Sequence, residues 1–304
     1  MLNHYYRAAV RALRFSFPIL DTTRSIAALT DLTMTTPIAD LPDYNALAER
    51  FDRFLPLIQP VSEALLSHLP DLAQGAQVLD VSCGTGEPGI TLAHRQPQIH
   101  VLGIDAAAAM IGVARIKAAR QSLPNVRFEV MSSDHITVPG GSMDALVSRF
   151  GLLMFGDVPA SARETARVLR PGGAFSIAVW DASDRNTLFN TILTTLRSFL
   201  PAGARASVEG LQHWAQEGLR TRLLKEAGMG RVASQMFDWD YTFESFESLW
   251  AMVSTMASFT GQATLSTEAE HDFKIALRAA LGQYAPSSGG YVIPHGCRII
   301  WGTR

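Results

Sequence analysis

The sequence predicts an α/β protein in which a parallel sheet is covered by helices on both faces. Strand and helix patterns alternate from residue 77 to residue 180, and this order is typical of parallel sheets with right-handed crossovers. The first apolar run, Gln77–Val81, leads into a turn that contains Gly84, Gly86 and Gly89. Glycines allow a backbone to turn sharply and to approach a ligand closely. Because ligands of such sheets bind where the strands end, we expect a binding site next to this turn.

Short apolar segments bounded by turn residues are predicted as strands over Gln77–Val81, His100–Asp105, Val126–Met131, Met143–Ser148 and Ala174–Trp180. Helical patterns lie between them, over Pro88–Arg95, Ala107–Gln121 and Pro159–Leu169. The run Arg170-Pro171-Gly172-Gly173 predicts a helix stop followed by a turn. After residue 180 the alternation ends. Helices are then predicted over Asn186–Leu200, Leu219–Ala227, Phe243–Phe259 and Thr267–Tyr284, and strands over Arg231–Asp240 and Ile293–Thr303.

Residues 1–40 are predicted to form an N-terminal extension, or arm, with helical character. Its first 20 residues contain Arg7, Arg11 and Arg14 among apolar side chains and no acid. This pattern fits a basic amphipathic helix on a membrane surface, a targeting segment, or an arm through which the chain forms a homo-oligomer. Met34 begins a stretch that looks like an ordinary protein start, so an extended N-terminus without a catalytic role is also open.

Residues 41–75 are predicted to form N-terminal cap helices, because apolar side chains recur at helical spacing from residue 44 to residue 58. Pro56 should kink or end the first helix, and Pro60 should interrupt the chain again before a second helix over 61–69. The remaining residues, 76–304, are predicted to form one domain with cap insertions at about 183–215 and 243–287.

Composition narrows the functional classes. The chain has 304 residues, 47% hydrophobic content and a net charge of −2, and beyond its N-terminus it lacks the basic stripe with interleaved aromatic residues of a nucleic-acid-binding protein. The two cysteines, Cys83 and Cys297, do not suit a disulfide framework or a zinc site, so we expect no metal and a reducing, cytoplasmic location. No apolar run reaches the roughly 18 residues of a membrane-spanning helix, so stable membrane insertion is not expected.

Four segments together resemble the class I S-adenosylmethionine (SAM) dependent methyltransferases: VLDVSCGTG (78–86), VLGIDAAAAMI (101–111), SSDHITVPGGSMDALVSRFGLLMF (132–155) and VLRPGGAFSIAVW (168–180). Over roughly residues 41–304 the chain looks most like the branch of the ubiquinone and menaquinone C-methyltransferases. The resemblance implies a Rossmann-like seven-stranded sheet whose last strand is antiparallel, with the regions of Arg231 and Arg298 supplying the final two strands. This chain has Ser82 where the family usually has glycine.

The resemblance implies SAM as cofactor and suggests a role for each residue of the turn. Asp80 ends a buried strand, where a carboxylate is costly unless it is hydrogen-bonded. It could accept the N–H groups of the glycine turn, receive the ammonium of the methionine moiety, or do both. Ser82, Gly84 and Gly86 would bring bare backbone against that moiety. Asp105 would accept the ribose hydroxyls, and its alternative role is to cap the helix that begins near Ala107.

Five more residues are implied to hold the cofactor. Ala106 and Met110 would touch the adenine face, although Met110 could equally be core. Asp134 would accept the adenine amino group, with a surface turn as the alternative, and the backbone N–H of His135 would bind the ring. The backbone carbonyl of Ser148 would complete the ammonium site.

Substrate contacts are expected from Arg149, Phe150, Phe51 and Trp180. Arg149 could pair with the cap or anchor an anionic group of the substrate, and each aromatic residue could also be plain core. Candidates for a general base, should one be needed, are His135, His213, Tyr44 and Tyr241.

The predicted function is methyl transfer from SAM to a small, largely apolar molecule of quinone, aromatic or isoprenoid type. Aromatic and aliphatic side chains dominate the predicted caps and favour an apolar acceptor of this kind. The resemblance to the C-methyltransferase branch implies C-methylation, in secondary metabolism or cofactor biosynthesis. Methylation of an oxygen or nitrogen atom of a small natural product is the alternative. Two other classes stay open: an NAD(P)-dependent oxidoreductase, since Gly84-x-Gly86-x-x-Gly89 is also the dinucleotide pattern, and a non-catalytic SAM-fold binding protein.

Overall fold

The computed structural model describes residues 43–154, 156–180, 185–200, 218–255 and 265–304. Its strands, in chain order, are β1 Gln77–Val81, β2 His100–Asp105, β3 Val126–Val130, β4 Met143–Arg149, β5 Leu169–Val179, β6 Arg231–Phe243 and β7 Tyr291–Thr303. They form one sheet in the order β3-β2-β1-β4-β5-β7-β6. Strands β1 to β5 pair in parallel, and β7 runs antiparallel to both β5 and β6. The predicted seven-stranded sheet with an antiparallel last strand is confirmed.

The helices of the described residues are α1 Tyr44–Phe51, α2 Leu55–Leu66, α3 Gly89–Arg95, α4 Ala108–Arg120, α5 Val158–Val168, α6 Thr187–Leu196, α7 Leu219–Glu226, α8 Phe246–Thr255 and α9 Thr267–Ala280. None of these helices is long and apolar enough to cross a bilayer. Residues 1–42, with the predicted arm, and residues 201–217, with His213, lie outside the described residues.

Helix α2 departs from the prediction. Pro56 lies in its first turn, where a missing N–H costs little, so the first helix ends before it as expected. Pro60, however, lies inside α2, and the prediction of a separate helix over 61–69 was wrong. The hydrogen bond that Pro60 cannot donate would have gone to the carbonyl of Pro56, close to the helix start. Burial of one apolar face outweighs this loss: Leu57, Ile58, Val61 and Leu65 are all buried.

The predicted turn at residues 170–173 takes a different form. Helix α5 ends at Val168 as expected, but the following residues belong to β5. The register shifts there, because Met143 pairs with Leu169 whereas Ala145 pairs with Ala174. The extra residues bulge out of the ladder, and Gly172 has a positive φ of 76° that glycine tolerates best. The residues predicted to form a turn therefore do change the direction of the chain, but they do so as a bulge within β5.

Apolar layers cover both faces of the sheet. Helices α5 and α7 pack on one face, in a cluster that includes Leu146, Phe175 and Ile300. Helix α2 packs on the other face against Val147, Ala178 and Ile299. A further cluster joins α6, α8 and α9 to the first turn of α2 and to β7. This last cluster supports the proposal that residues of 183–215 and 243–287 form a cap over the sheet.

Two glycines give a matched test of packing. A Cβ on Gly103 of β2 would lie 2.4 Å from the buried ring of Phe128 and 3.1 Å from the Sγ of Cys83. Overpacking of this kind costs about 1–3 kcal/mol, so Gly103→Ala should lower the free energy of unfolding by about that amount. A Cβ on Gly112 of α4 would meet no neighbour within 4 Å, so Gly112→Ala should raise the free energy of unfolding by about 0.5–1 kcal/mol. Urea unfolding measures both, and equal effects would contradict the packing described.

Candidate functional site

One cavity of about 380 Å³ lies at the carboxyl ends of β1, β2, β4 and β5, beneath α1. Of the predicted site residues, the structure brings these together in its wall: Tyr44, Phe51, Ser82, Gly84, Asp105, Ala106, Met110, Arg149, Phe150 and Trp180. Six other predicted residues that the structure describes do not line the cavity: Asp80, Gly86, Asp134, His135, Ser148 and Tyr241. The cavity therefore joins residues expected to bind a cofactor to residues expected to bind a substrate.

The turn after β1 is held by Asp105 at the end of β2. Its Oδ2 accepts the backbone N–H of Gly84 at 2.9 Å, and its Oδ1 accepts that of Ala107 at 2.9 Å. The predicted alternative, that Asp105 caps the following helix, does not describe this arrangement. The backbone N–H of Ala109 in the first turn of α4 instead donates to the side chain of Asn45, at 2.9 Å. Burial raises the pKa of Asp105 above its ordinary value, although these two hydrogen bonds oppose the shift.

Ser82 explains why its position favours glycine. Its φ is +56°, in the left-handed region that costs a residue with a Cβ about 1–2 kcal/mol. A Cβ on Gly151 would lie 2.2 Å from the Cβ of Ser82, so the chain after β4 approaches this turn too closely for a second side chain. The strained residue lies in the cavity wall.

Asp80 lies behind the turn instead of in the cavity wall. It is fully buried, and its Oδ2 accepts the N–H of Gly89 at 2.8 Å, at the first residue of α3. Its Oδ1 is buried without a hydrogen-bond partner among the described residues. Burial, the largest cause, raises the pKa of Asp80 to about 7, with Gly89 and Arg149 acting in the opposite direction. The structure thus shows the role in holding the turn, and an oxygen atom remains for a donor.

This raised pKa makes a prediction about stability. Folded Asp80 keeps its proton up to about pH 7, whereas the unfolded chain releases it near the ordinary value of 3.8. The folded state therefore binds more protons between these values, and its stability contribution falls as the pH rises from about 4 to 7. Asp80→Asn has no such proton, so its stability relative to the parent protein should rise over this range by roughly 4 kcal/mol.

Urea unfolding of both proteins at several pH values measures this difference. Other titrating groups act equally in both proteins and cancel in the difference. Asp71→Asn, at an exposed position, is the matched control and should show no such change. A pH-independent difference for Asp80→Asn would show that the carboxyl titrates normally.

Gly86 and Ser148 have roles in packing and in holding the loop. A Cβ on Gly86 would lie 2.7 Å from the Cδ1 of Ile90 and 3.1 Å from the ring of Phe128, so this glycine is required by the core. The Oγ of Ser148 donates to the carbonyl of Val81 at 2.6 Å and accepts the N–H of Leu152 at 3.1 Å. Gly86 does not line the cavity, and its approach to the cofactor stays a prediction.

The turn after β3 presents its serines to the cavity. Ser132 and Ser133 line the wall, whereas Asp134 accepts a hydrogen bond from the Oγ of Ser132 at 2.5 Å. His135 is exposed, and its backbone N–H donates to the carbonyl of Ser132 at 3.3 Å. Because this N–H is already bonded within the turn, the predicted contact of His135 with an adenine ring is not supported. The sequence pattern located the turn but not the residue that faces the cavity.

Helix α1 covers the cavity and is held there by polar contacts that were not predicted from the sequence. The carboxylate of Asp52 accepts a hydrogen bond from the Oγ1 of Thr85 at 2.6 Å and pairs with the Nζ of Lys117 at 3.0 Å. The ring of Phe51 reaches the glycine turn and lies 3.8 Å from the Cβ position of Gly84. These contacts fix α1 to the turn and to α4.

The apolar part of the wall is built from aromatic rings. Phe150, which has a φ of +61°, stacks on Trp180 with ring centroids 3.8 Å apart. Leu188 and Phe189 of α6 add to the same wall. Tyr44 also lines the cavity, and burial together with the nearby charge of Asp105 raises the pKa of its hydroxyl. Tyr44 therefore keeps its proton at neutral pH and is suited to donate a hydrogen bond rather than to act as a base.

Arg149 carries a buried positive charge in the cavity wall. Its Nη1 donates to the Oγ of Ser62 in α2 at 2.5 Å, and the residue is 7% exposed. Burial lowers its pKa to about 10, and the charges of Glu87, Asp80 and Asp52 oppose the shift. Glu87 lines the same cavity and was missed by the sequence analysis, because nothing in its local pattern separates it from an ordinary turn residue.

Two further base candidates find no support. His213 lies outside the described residues. Tyr241 packs edge-on against Phe243 with ring centroids 4.8 Å apart and does not line the cavity. His295 of β7 does line it, although the sequence analysis did not select it. Its position in an alternating apolar strand gave no signal of a functional role.

The chain is similar to known methyltransferases. A methyltransferase domain family matches residues 78–173. A trans-aconitate 2-methyltransferase of Deinococcus radiodurans is 42% identical over 104 residues, which are 34% of this chain and 38% of that protein. A demethylmenaquinone methyltransferase of Listeria welshimeri is 30% identical over 183 residues, which are 58% of this chain and 74% of that protein. The chain thus spans less than half of the Deinococcus relative but nearly three quarters of the Listeria one.

A solved structure shows the same fold. The phosphoethanolamine N-methyltransferase 2 of Haemonchus contortus, in complex with S-adenosyl-L-methionine, superposes with a TM-score of 0.51. The two chains are 16% identical, and the match covers 81% of this chain and 52% of that chain.

Proposed function

The chain belongs to the class I SAM-dependent methyltransferases, and we propose that it methylates a small, largely apolar acceptor of quinone, aromatic or isoprenoid type. One observation carries this proposal. A single cavity is lined at once by the glycine turn with Asp105 and by the stacked rings of Phe150 and Trp180. A methyl donor held by the first group would face an acceptor held by the second.

The residues of the turn fit the cofactor. Asp105 has a buried carboxylate in the cavity wall, suited to accept ribose hydroxyls beside its two backbone N–H partners. The Oδ1 of Asp80 lacks a partner among the described residues and is suited to receive an ammonium group, directly or through water. Ser82 and Gly84 would contact the methionine moiety. SAM supplies an electrophilic methyl group when bound, and the chain must orient the acceptor and exclude water.

The remaining cofactor contacts follow the resemblance. Ala106 and Met110 would lie against the adenine, and both line the cavity. Asp134 would accept the adenine amino group through its Oδ2, since its bond to Ser132 uses Oδ1, and the carbonyl of Ser148 would complete the ammonium site. Ser132 and Ser133 are further candidates for the adenine end.

The substrate end of the cavity favours an apolar acceptor. Phe54, Leu57, Ile58 and Leu188 line it together with the stacked rings. Among the described residues, a polar tricarboxylate such as trans-aconitate would meet one guanidinium there, that of Arg149. Aromatic faces also stabilise a positive charge that develops when a carbon atom is methylated. We therefore favour C-methylation, in secondary metabolism or cofactor biosynthesis within the cytoplasm. Methylation of oxygen or nitrogen is the alternative.

The positions of Gly86 and Gly89 do not favour binding of a dinucleotide at the glycine turn. Gly86 is required by the packing of Ile90, and a Cβ on Gly89 would lie 2.7 Å from the Oδ2 of Asp80. Neither glycine lines the cavity, so the pattern does not form a cradle for a pyrophosphate.

Calorimetric titration with S-adenosylhomocysteine and, in parallel, with NADH tests the cofactor. We expect micromolar binding of the first and none of the second. Transfer of radiolabelled methyl groups to 1,4-dihydroxynaphthalene and to trans-aconitate then tests the acceptor, and mass spectrometry of the product locates the new methyl group. Transfer to trans-aconitate alone would contradict the apolar acceptor. Failure to bind S-adenosylhomocysteine would favour a non-catalytic role.

A further inference from the structure

His295 of β7 is a buried histidine that the proposed cofactor site does not use. It is 3% exposed and forms part of the cavity wall. Its ring continues a row of aromatic contacts that begins at the cavity with Phe150 and Trp180. The centroid of Trp180 lies 6.3 Å from that of Trp239, which in turn lies 5.4 Å from the His295 ring.

The tautomer of His295 is fixed by its neighbour on the same strand. Its Nδ1 lies 2.9 Å from the carbonyl oxygen of Ile293, and because a carbonyl can only accept, the proton must be on Nδ1. Burial lowers the pKa of His295 to about 4, with Ile293 and Asp240 opposing the shift. The ring is therefore neutral at physiological pH, and its Nε2 carries a lone pair.

The Nε2 of His295 has no hydrogen-bond partner among the described residues, and it is shielded from the cavity as well as from bulk water, so a ligand reaches it only when the cavity wall rearranges. A buried acceptor without a donor is unfavourable, and such groups are rare in native proteins. Thr255 also lines the cavity, and its Oγ1 donates to the carbonyl of Ala251 at 3.0 Å. A bound molecule that carries a donor would remove this penalty.

We propose that the Nε2 of His295 accepts a hydrogen bond from a hydroxyl group of an otherwise apolar acceptor, and so selects hydroxylated molecules for this site. The inference rests on the proposed function, because it concerns the acceptor of the same cavity. The stacked rings hold the apolar body of the molecule, and His295 binds its polar group. His295 is in this sense a residue that determines specificity.

A cycle of protein and ligand variants tests the proposal. The probes are 2-naphthol and 2-methylnaphthalene, which differ by a hydroxyl in place of a methyl group, and binding is measured by equilibrium dialysis with saturating S-adenosylhomocysteine. We expect the preference of the parent protein for 2-naphthol to fall about tenfold in His295→Phe, as the loss of one buried hydrogen bond predicts. His295→Gln, which restores an acceptor, should recover part of it. An unchanged preference in His295→Phe would overturn the proposal.

A second histidine provides the matched control. His68 also stacks on a tryptophan, with its ring centroid 3.9 Å from that of Trp301, but it does not line the cavity. His68→Phe should leave the preference unchanged. An equal fall in both variants would mean that the loss reflects general destabilisation and not a contact with the ligand, which also overturns the proposal.

Nitrogen NMR of the parent protein gives a test without any substitution. The imidazole signals should show an unprotonated Nε2 whose resonance shifts on addition of 2-naphthol and not of 2-methylnaphthalene. A protonated Nε2, or one that responds equally to both probes, would overturn the proposal even if His295→Phe does not fold. The same experiments without S-adenosylhomocysteine separate this inference from the proposed function, because recognition of the hydroxyl does not require methyl transfer.

Discussion

Asp105→Ala is expected to weaken the binding of S-adenosylhomocysteine by about one to two orders of magnitude. Charge-assisted hydrogen bonds are worth about 1.5–3 kcal/mol, and each 1.4 kcal/mol is a factor of ten in affinity. The carboxylate also holds the backbone N–H groups of Gly84 and Ala107. Its removal therefore loosens the turn that should contact the methionine moiety, in addition to removing the acceptor for the ribose. Calorimetric titration measures the change.

Two further variants separate these contributions. Asp105→Asn keeps an oxygen acceptor for one backbone N–H but loses the charge, so its affinity should lie between those of Asp105→Ala and the parent protein. Asp71→Ala, at an exposed position outside the cavity wall, should bind like the parent protein. Thermal unfolding without ligand establishes that each variant folds. A folded Asp105→Ala variant with unchanged affinity would remove Asp105 from the site.

The sequence was informative wherever a local pattern decides the structure. Strands β1 and β2 match their predicted bounds, because a buried apolar run with a turn at its end admits one interpretation. The end of α5 was also predictable from the residues that follow it. Helix α2 was not, since the burial of its apolar face outweighs the local signal of Pro60, and that burial depends on strands distant in sequence.

The candidate site divides in the same way. Asp105 follows a predicted strand and lies in the cavity, as its position suggested. In the turn after β3, hydrogen bonds within four residues decide that Ser132 and not Asp134 faces the cavity. The sequence could not single out His295. Its distinguishing feature is that Nε2 has no hydrogen-bond partner among the described residues, and this is visible only from its neighbours in three dimensions.

Arg149 allows two interpretations that predict opposite changes in stability. If the guanidinium of Arg149 has a structural role, its hydrogen bond to Ser62 joins β4 to α2, and removal of the guanidinium should destabilise the protein. If it is an anchor for a substrate anion, the ligand-free protein carries a buried charge that folding disfavours. The second case fits the pKa of about 10, because at any pH below that value the folded state holds a charge that burial penalises.

We expect Arg149→Met to raise the free energy of unfolding of the ligand-free protein by about 1–3 kcal/mol, since an apolar side chain of similar length avoids the desolvation of a buried guanidinium. Ser62→Ala is the matched control. It leaves the charge in place and removes its partner at 2.5 Å, so it should lower the free energy of unfolding by about 1–3 kcal/mol. Urea unfolding at pH 7.5 measures both variants.

The same Arg149→Met variant should lose affinity for an anion in the cavity. Equilibrium dialysis with 2-naphthoate, which is charged at pH 7.5, should show binding weaker by about tenfold or more, as the loss of a charged hydrogen bond predicts. Binding of the uncharged 2-methylnaphthalene should change little, because the aromatic wall of Phe150 and Trp180 remains. If Arg149→Met is instead less stable and binds 2-naphthoate normally, Arg149 has a structural role that joins β4 to α2. The anionic part of the substrate would then have to be bound elsewhere in the cavity.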